Sequence, residues 1–277
     1  MTLPTMSLAI QDYQAFADFL QRQCGIVLGD NKQYLVRSRL GPLMAAHHAT
    51  MTDLIREAMR PESSALKTQV IEAMTTNETF WFRDGYPFDL LQSEVLPELT
   101  QPNRRLRIWS AACSTGQEPY SLAMSLLEYR RKNPGRLVQG GEILATDLST
   151  KVLEQAQRGE YDALAMARGL SDTRKQQFFE CLGSGRMKVK PEVRQSVMFR
   201  QQNLLDSYLL LGRFDVIFCR NVLIYFSPES KQKILRQFAA ALNPGGYLFL
   251  GASESIANLS EDFEMCRYPA GILYRKR

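Results

Sequence analysis

The side chains of this 277-residue sequence that could do chemistry are carboxylates, arginines and amides rather than imidazoles or thiols. Only two histidines occur, His47 and His48. As neighbours they cannot share a helix face, so imidazole catalysis and histidine metal sites are not expected. The five cysteines, Cys24, Cys113, Cys181, Cys219 and Cys266, contain no Cys-x-x-Cys pair. Buried, reduced thiols are the expectation, and no metal is. What remains is a set of loop and strand-end groups. Glu118 leaves the small-residue loop Ala111-Ala112-Cys113-Ser114-Thr115-Gly116, Asp147 ends the run Glu142-Ile143-Leu144-Ala145-Thr146, and Arg220-Asn221 follows Phe214-Asp215-Val216-Ile217-Phe218-Cys219.

Small residues let a backbone approach a ligand closely, and a helix opening near Pro119 would present free N–H groups. The loop is nevertheless neither a dinucleotide fingerprint nor a phosphate loop, because Gly116 stands alone and no Gly-Lys-Ser/Thr follows. Glu118 would repel phosphate and suits a ligand bearing an ammonium or hydroxyls. Asp147 occupies the strand-end position that bonds ribose hydroxyls in parallel sheets. A ligand with a ribose and an amino-acid end but no phosphate is S-adenosylmethionine. Arg220, just past a strand expected to be buried, requires a carboxylate partner.

The elements that must position these groups fall into two patterns. The first ~75 residues read as helices only, with Ile10, Tyr13, Phe16 and Leu20 at helical spacing and Gly25 as a stop. Asp30 with Gln33 predicts a capping box for a helix carrying Val36, Leu40 and Leu43, which Pro42 should end or kink. Thr52 is the expected cap of a helix closed by Pro61, and Leu66, Val70 and Met74 form the next stripe. A helix over 87–99 links the halves, with Pro97 and Pro102 bracketing a break. Beyond residue 104, short apolar strands alternate with helices, which implies a mostly parallel α/β sheet. The strands are predicted at 107–110, 142–147, 214–219 and 247–250. Ser227-Pro228 is an N-cap with proline at the first helical position. Residues 180–200 break the alternation and predict an inserted antiparallel hairpin, in which Pro191 would remove a donor.

Composition sets limits. A hydrophobic share of 45% and a charged share of 23% exclude a mainly disordered chain. No apolar run reaches the ~18–20 residues needed to span a bilayer, and Met1–Ile10 lacks the features of a secretory signal. The net charge of +5 is mild and demands no nucleic acid. It is uneven, however. Residues 31–50 hold Lys32, Arg37 and Arg39 without an acid, and residues 186–200 hold five basic residues against Glu192. Each patch is either a solvated face or a meeting point for an acidic partner.

Four segments together resemble the chemotaxis receptor methyltransferases, the CheR family. They are Asn77-Glu78-Thr79-Phe80-Trp81-Phe82-Arg83, the Ser110–Leu122 stretch with its Ser114-Thr115-Gly116-Gln117-Glu118-Pro119-Tyr120 core, Ala145-Thr146-Asp147, and Phe214 through Phe226. Gln117 stands where the family often has Glu, and Trp81 where it usually has Phe. The resemblance implies a Rossmann-like methyltransferase sheet with a small antiparallel insertion, preceded by an all-helical domain. It divides the chain into a receptor-recognition domain (1–76), a linker that contributes to the cofactor site (77–103) and a catalytic domain (104–277).

The implied reaction is methyl transfer from S-adenosylmethionine to glutamate side chains of chemoreceptors, leaving S-adenosylhomocysteine. The resemblance assigns Asn77, Thr79, Arg83, Glu118, Asp147, Asn203, Leu204, Arg220 and Asn221 to the cofactor. Within that set, Arg83 meets the methionine carboxylate or places the substrate carboxylate, and Asn203-Leu204 is the adenine-contacting pair. Arg83, Arg220 and Tyr225 are the catalytic candidates, with Arg220 and Tyr225 orienting the acceptor. Lys32, Arg37 and Arg39 would face the helical methylation region of the receptor. The expected protein is a cytoplasmic monomer recruited to receptor arrays, with no metal, no nucleic acid, no membrane insertion and no receptor tail peptide on its hairpin. The rival readings are a cofactor-binding regulatory module and a nucleic-acid methyltransferase, though Arg220-Asn221-Val222-Leu223 is not the base-reading loop the latter needs.

Overall fold

The uninterrupted apolar run Phe214–Cys219 forms a strand buried at every position, as a parallel strand covered on both faces must be. It lies near the middle of a computed structural model that describes residues 8–100 and 104–277. The strands are β1 (Leu106–Ala111), β2 (Gly141–Asp147), β3 (Glu160–Tyr161), β4 (Phe179–Gly183), β5 (Arg186–Val189), β6 (Val197–Gln201), β7 (Phe214–Cys219), β8 (Leu242–Leu250), β9 (Phe263–Tyr268) and β10 (Gly271–Lys276). Seven of them form one sheet in the order β6-β2-β1-β7-β8-β10-β9. Pairing is parallel from β6 through β8, and β10 runs antiparallel to both β8 and β9. The order β3-β5-β4 makes a separate small antiparallel sheet.

The chain forms two units, one running up to Thr76 and including Tyr225–Ser230, the other comprising Asn77–Ile224 and Lys231–Arg277. The first holds the helices Ile10–Cys24, Gln33–His47, Met51–Ala58 and Ser64–Met74. Tyr13, Phe16, Leu20, Val36, Leu40, Ile55 and Val70 are buried, at about 1.5–3 kcal/mol for each large apolar side chain. Gly25 ends the first helix at φ 79°, where its N–H donates to Gln21 O at 2.9 Å.

Several local expectations are corrected here. Ile10 is exposed, because the first helix begins with it and buries a face only from Tyr13 onward. The second helix starts after Lys32 with no side-chain cap, so Asp30 and Gln33 do not form the box. Pro42 lies inside that helix, which continues to His47. Thr50, not Thr52, caps the third helix by accepting from Asp53 N.

In the second unit both faces of the sheet are packed with aromatics. Phe218 stacks on Phe249 at 4.3 Å between centroids on one side, while Trp109 packs edge-on against Phe238 and Tyr208 on the other. The helix predicted over 87–99 runs from Tyr86 to Leu99 with a wide π turn at Leu91–Val95. That turn comes just before Pro97, whose ring clashes with an ordinary turn behind it. Pro102 lies outside the described residues. Ser227 accepts from Ser230 N at 3.2 Å, as its N-cap role requires.

The insertion differs from a hairpin over 180–200. β4 and β5 make the hairpin, β3 supplies a third strand, and Val197–Gln201 pairs parallel with β2 as an edge strand of the large sheet. Pro191 opens a short helix outside the hairpin. Cys24, Cys113 and Cys219 are buried, whereas Cys181 is exposed because it lies on the edge strand β4. Among the described residues no helix is long and apolar enough to cross a membrane.

Candidate active site

The chain leaves β1 for β2 on one side and later returns to β7 on the other, so the crevice beyond β1 and β7 is the point where strand order reverses. The loop leaving β1 is shaped for close approach. Ala112, Ser114 and Gly116 all have positive φ, at 62°, 51° and 94°. A Cβ on Gly116 would lie 2.8 Å from the Ala156 Cβ and 3.0 Å from the Tyr161 hydroxyl, so only glycine fits. Tyr161 donates to Thr115 O at 2.7 Å, and Ser114 Oγ donates to Asn77 O at 2.8 Å.

Asp147 ends β2, buried, with Oδ2 accepting from Ser114 N at 2.8 Å and Oδ1 from Ser149 N at 3.0 Å. Two backbone N–H groups thus hold the carboxylate at the crevice, and a carboxylate oxygen can accept more than one donor. Its carbonyl accepts from Gln202 N at 3.0 Å, which brings Asn203 and Leu204 alongside. Asn203 Oδ1 closes a turn onto Leu205 N at 3.0 Å, and Leu204 is buried.

Glu118 and Arg220 meet in the same crevice. Glu118 Oε1 accepts from Ser110 Oγ at 2.8 Å and Oε2 from Arg220 Nη1 at 3.2 Å. Arg220 Nη2 donates to Asp84 Oδ2 at 2.6 Å and to Arg83 O at 2.8 Å. The Arg220 side chain is only 1% exposed. Burial pushes the Glu118 carboxyl above its ordinary value, and Arg220 and Ser110 pull it down without cancelling that rise. One buried cation therefore serves two carboxylates, and the Arg83 guanidinium also lies near enough to Glu118 to lower its carboxyl. A ligand ammonium would add a charge-assisted partner for the Glu118 carboxylate.

The catalytic candidates divide. Arg220, expected to orient the acceptor, pairs with Asp84 at 2.6 Å and with Glu118 at 3.2 Å. Arg83 is half-buried, donates to Glu78 O at 3.1 Å and places its guanidinium 5.5 Å from the Phe80 centroid. Thr79 is half-buried on the same segment. Asn221 adopts φ 58°, and its Oδ1 is buried without a partner among the described residues. Tyr225 belongs to the helical unit, where its carbonyl accepts from Val27 N at 2.9 Å.

Residues 77–272 match the family model described as "CheR methyltransferase, SAM binding domain", and residues 11–75 match "CheR methyltransferase, all-alpha domain". The chain belongs to the CheR methyltransferase family. A chemotaxis protein methyltransferase of Vibrio parahaemolyticus is 54% identical over 274 residues, covering 99% of this chain and 99% of the relative. Chemotaxis protein methyltransferase 1 of Vibrio cholerae is 53% identical with the same coverage. Chemotaxis protein methyltransferase 1 of Pseudomonas aeruginosa is 53% identical over 98% of this chain and 100% of its own length.

In this CheR-family chain the basic residues of the helical unit have unequal freedom. Arg39 donates to Met74 O and to Thr76 Oγ1, the latter at 2.6 Å, and so closes the end of the helix Ser64–Met74. Arg37 is half-buried. Lys32 is exposed, its ammonium 5.7 Å from the Tyr34 ring centroid.

Sequence reasoning missed two acids of the sheet unit. Asp84 sits in a tight turn where Phe82, Asp84 and Gly85 all have positive φ. The signal was an acid beside a glycine, directly after the Asn-x-Thr-x-x-x-Arg segment. Glu254 accepts from Asn221 N and Gly251 N, both at 2.7 Å. It lies a few residues past the end of β8, at the same edge of the sheet as Asp147 and Arg220.

Proposed function

We propose that this chain transfers the methyl group of S-adenosylmethionine to glutamate side-chain carboxylates of chemotaxis receptors, forming glutamyl methyl esters and S-adenosylhomocysteine. The observation that carries this reading is the sharing of Arg220 between Glu118 and Asp84 in the crevice beside Asp147. When bound, S-adenosylmethionine supplies a methyl carbon made electrophilic by its sulfonium.

The donor carries a net positive charge and the product does not, and the carboxylates Glu118 and Asp84 give that charge a favourable setting. Asp147 accepts from the ribose hydroxyls, and Glu118 receives the ammonium with one oxygen anchored on Ser110. Asn203-Leu204 borders the adenine, and Arg83, with Asn77 and Thr79 on its segment, meets the carboxylate end. Glutamate is already ionised at neutral pH, so the chain needs no general base. Its contribution is positioning and partial desolvation of the acceptor carboxylate, with Tyr225 as the closer contact.

Residues 1–76 recognise the receptor's helical methylation region, with Lys32 as the exposed charge of the acid-free segment. Residues 77–103 complete the cofactor site and 104–277 carry the transfer. The chain acts in the cytoplasm at receptor arrays, as a monomer and without a receptor tail peptide. The pairing of β4 with β5 shifts register at Cys181/Gly183, and an irregular strand is a poorer template for a peptide on its free edge, which supports the last point.

The test is incubation with methyl-labelled cofactor and receptor-containing membranes. Alkali-labile methyl groups on receptor glutamates are expected. Cofactor binding without transfer would instead identify a regulatory module.

A further inference from the structure

Asn221 closes the turn after β7 in the left-handed region, which asparagine tolerates better than other side-chain-bearing residues. Something must hold it there, and the contacts point to one residue. Glu254 Oε2 accepts from Asn221 N and from Gly251 N, each at 2.7 Å, while Oε1 accepts from Ile224 N at 3.3 Å. A single carboxylate thus collects three backbone N–H groups from two segments, one after β7 and one at the end of β8. Charged acceptors make the stronger hydrogen bonds, so this junction is stiff.

Gly251 packs tightly on this junction. A Cβ on Gly251 would lie 2.7 Å from Asn221 Nδ2, 2.8 Å from Glu254 Oε2 and 2.9 Å from Asn221 N. Asn221 Oδ1, by contrast, is buried and accepts nothing among the described residues. A buried amide oxygen without a donor is costly unless a ligand completes it.

We infer that Glu254 is a positioning residue that fixes the Asn221 turn so that Oδ1 is presented to a hydrogen-bond donor of the bound cofactor. S-adenosylmethionine offers such donors in its ammonium, its ribose hydroxyls and its adenine amine. Glu254 acts through Asn221 and not by touching the cofactor. Glu254→Gln puts an NH2 group where one of two acceptor oxygens stood, and the backbone N–H groups it faces cannot accept from it. The inference rests on the reading that the crevice beyond β1 and β7 is the cofactor site.

The experiment is a double-mutant cycle read as S-adenosylhomocysteine affinity by calorimetry. Asn221→Gly is used because glycine keeps the positive φ while deleting the carboxamide. Glu254→Gln and Asn221→Gly should each weaken binding by about tenfold or more, and the double variant should lose no more than about threefold beyond the weaker single variant. Losses that multiply in the double variant would show that Glu254 merely stabilises the fold. An affinity within about twofold of the parent for Glu254→Gln would also overturn the inference. Should Glu254→Gln fail to fold, Gly251→Ala disturbs the same junction from the β8 side and must weaken binding likewise. Asp147→Ala separates the two readings. If it leaves affinity unchanged, the cofactor site itself is misplaced; if it weakens binding while Glu254→Gln does not, only the role of Glu254 fails.

Discussion

Arg220 and Asp84 are 136 residues apart in sequence, yet Nη2 and Oδ2 meet at 2.6 Å. The contact ties the turn that ends the 77–85 segment to the end of β7, and it leaves Glu118 the longer of the two Arg220 ion pairs, at 3.2 Å. A cation shared in this way holds the crevice together.

Asp84→Asn removes one of the two charges that compensate a buried guanidinium. Thermal unfolding should show a loss of about 1–3 kcal/mol. The same change removes one negative charge from the crevice, so affinity for S-adenosylmethionine should fall by up to about fivefold more than affinity for the net-neutral product. Equal losses for both ligands in calorimetry would remove the electrostatic argument.

Glu118 has its carboxyl raised above the ordinary 4.5, chiefly by burial. In the folded ligand-free chain it therefore holds its proton to higher pH than in the unfolded chain. Its contribution to stability is fully present below about 4.5 and is lost as pH rises through its folded value. Glu118→Gln, which cannot ionise, should lack that loss. The difference in melting temperature between variant and parent should shift in favour of the variant from pH 4.5 to pH 7. A pH-independent difference would contradict the shift.

Asp147→Ala deletes the acceptor that two backbone N–H groups hold at the end of β2. S-adenosylhomocysteine should bind more weakly by about 1–3 kcal/mol. Unchanged affinity would remove Asp147 from the site.

Lys32→Glu reverses an exposed charge without breaking a bond, whereas Arg39→Glu would also undo the contacts to Met74 and Thr76. Receptor methylation by Lys32→Glu should be slower than by the parent at low ionic strength and should approach it as salt is raised, because charge steering is screened over about 10 Å at 0.1 M. Rates that are equal at low salt would leave Lys32 on a merely solvated face.

Peptides ending in an aromatic residue should fail to bind the β4 edge. Titration calorimetry at micromolar protein is the check. A saturable heat with one-to-one stoichiometry would show that the edge remains open despite its bulge.

Much of this protein was legible one segment at a time. The buried run Phe214–Cys219, the helix cap at Ser227, the stop at Gly25 and the carboxylates at the ends of a loop and a strand all depend on a few adjacent residues. Period and turn chemistry are local properties, so the sequence alone displays them. Partnership is not local. Val197–Gln201 alternates as a hairpin strand would, yet it pairs with β2, because an edge strand bears the same pattern whichever neighbour it finds. Pro42 was expected to end or kink its helix and does not end it, because a proline costs a helix only one hydrogen bond and a clash, which surrounding packing can outweigh. Arg220 announced that it needed a carboxylate; that Asp84 joins Glu118 in meeting it follows from the 77–85 segment turning onto the end of β7, and that Glu254 holds Asn221 follows from β7 and β8 ending at one edge of one sheet. Side chains brought together by sheet order leave no trace in the spacing of their own neighbours, so only the tertiary structure could pair them.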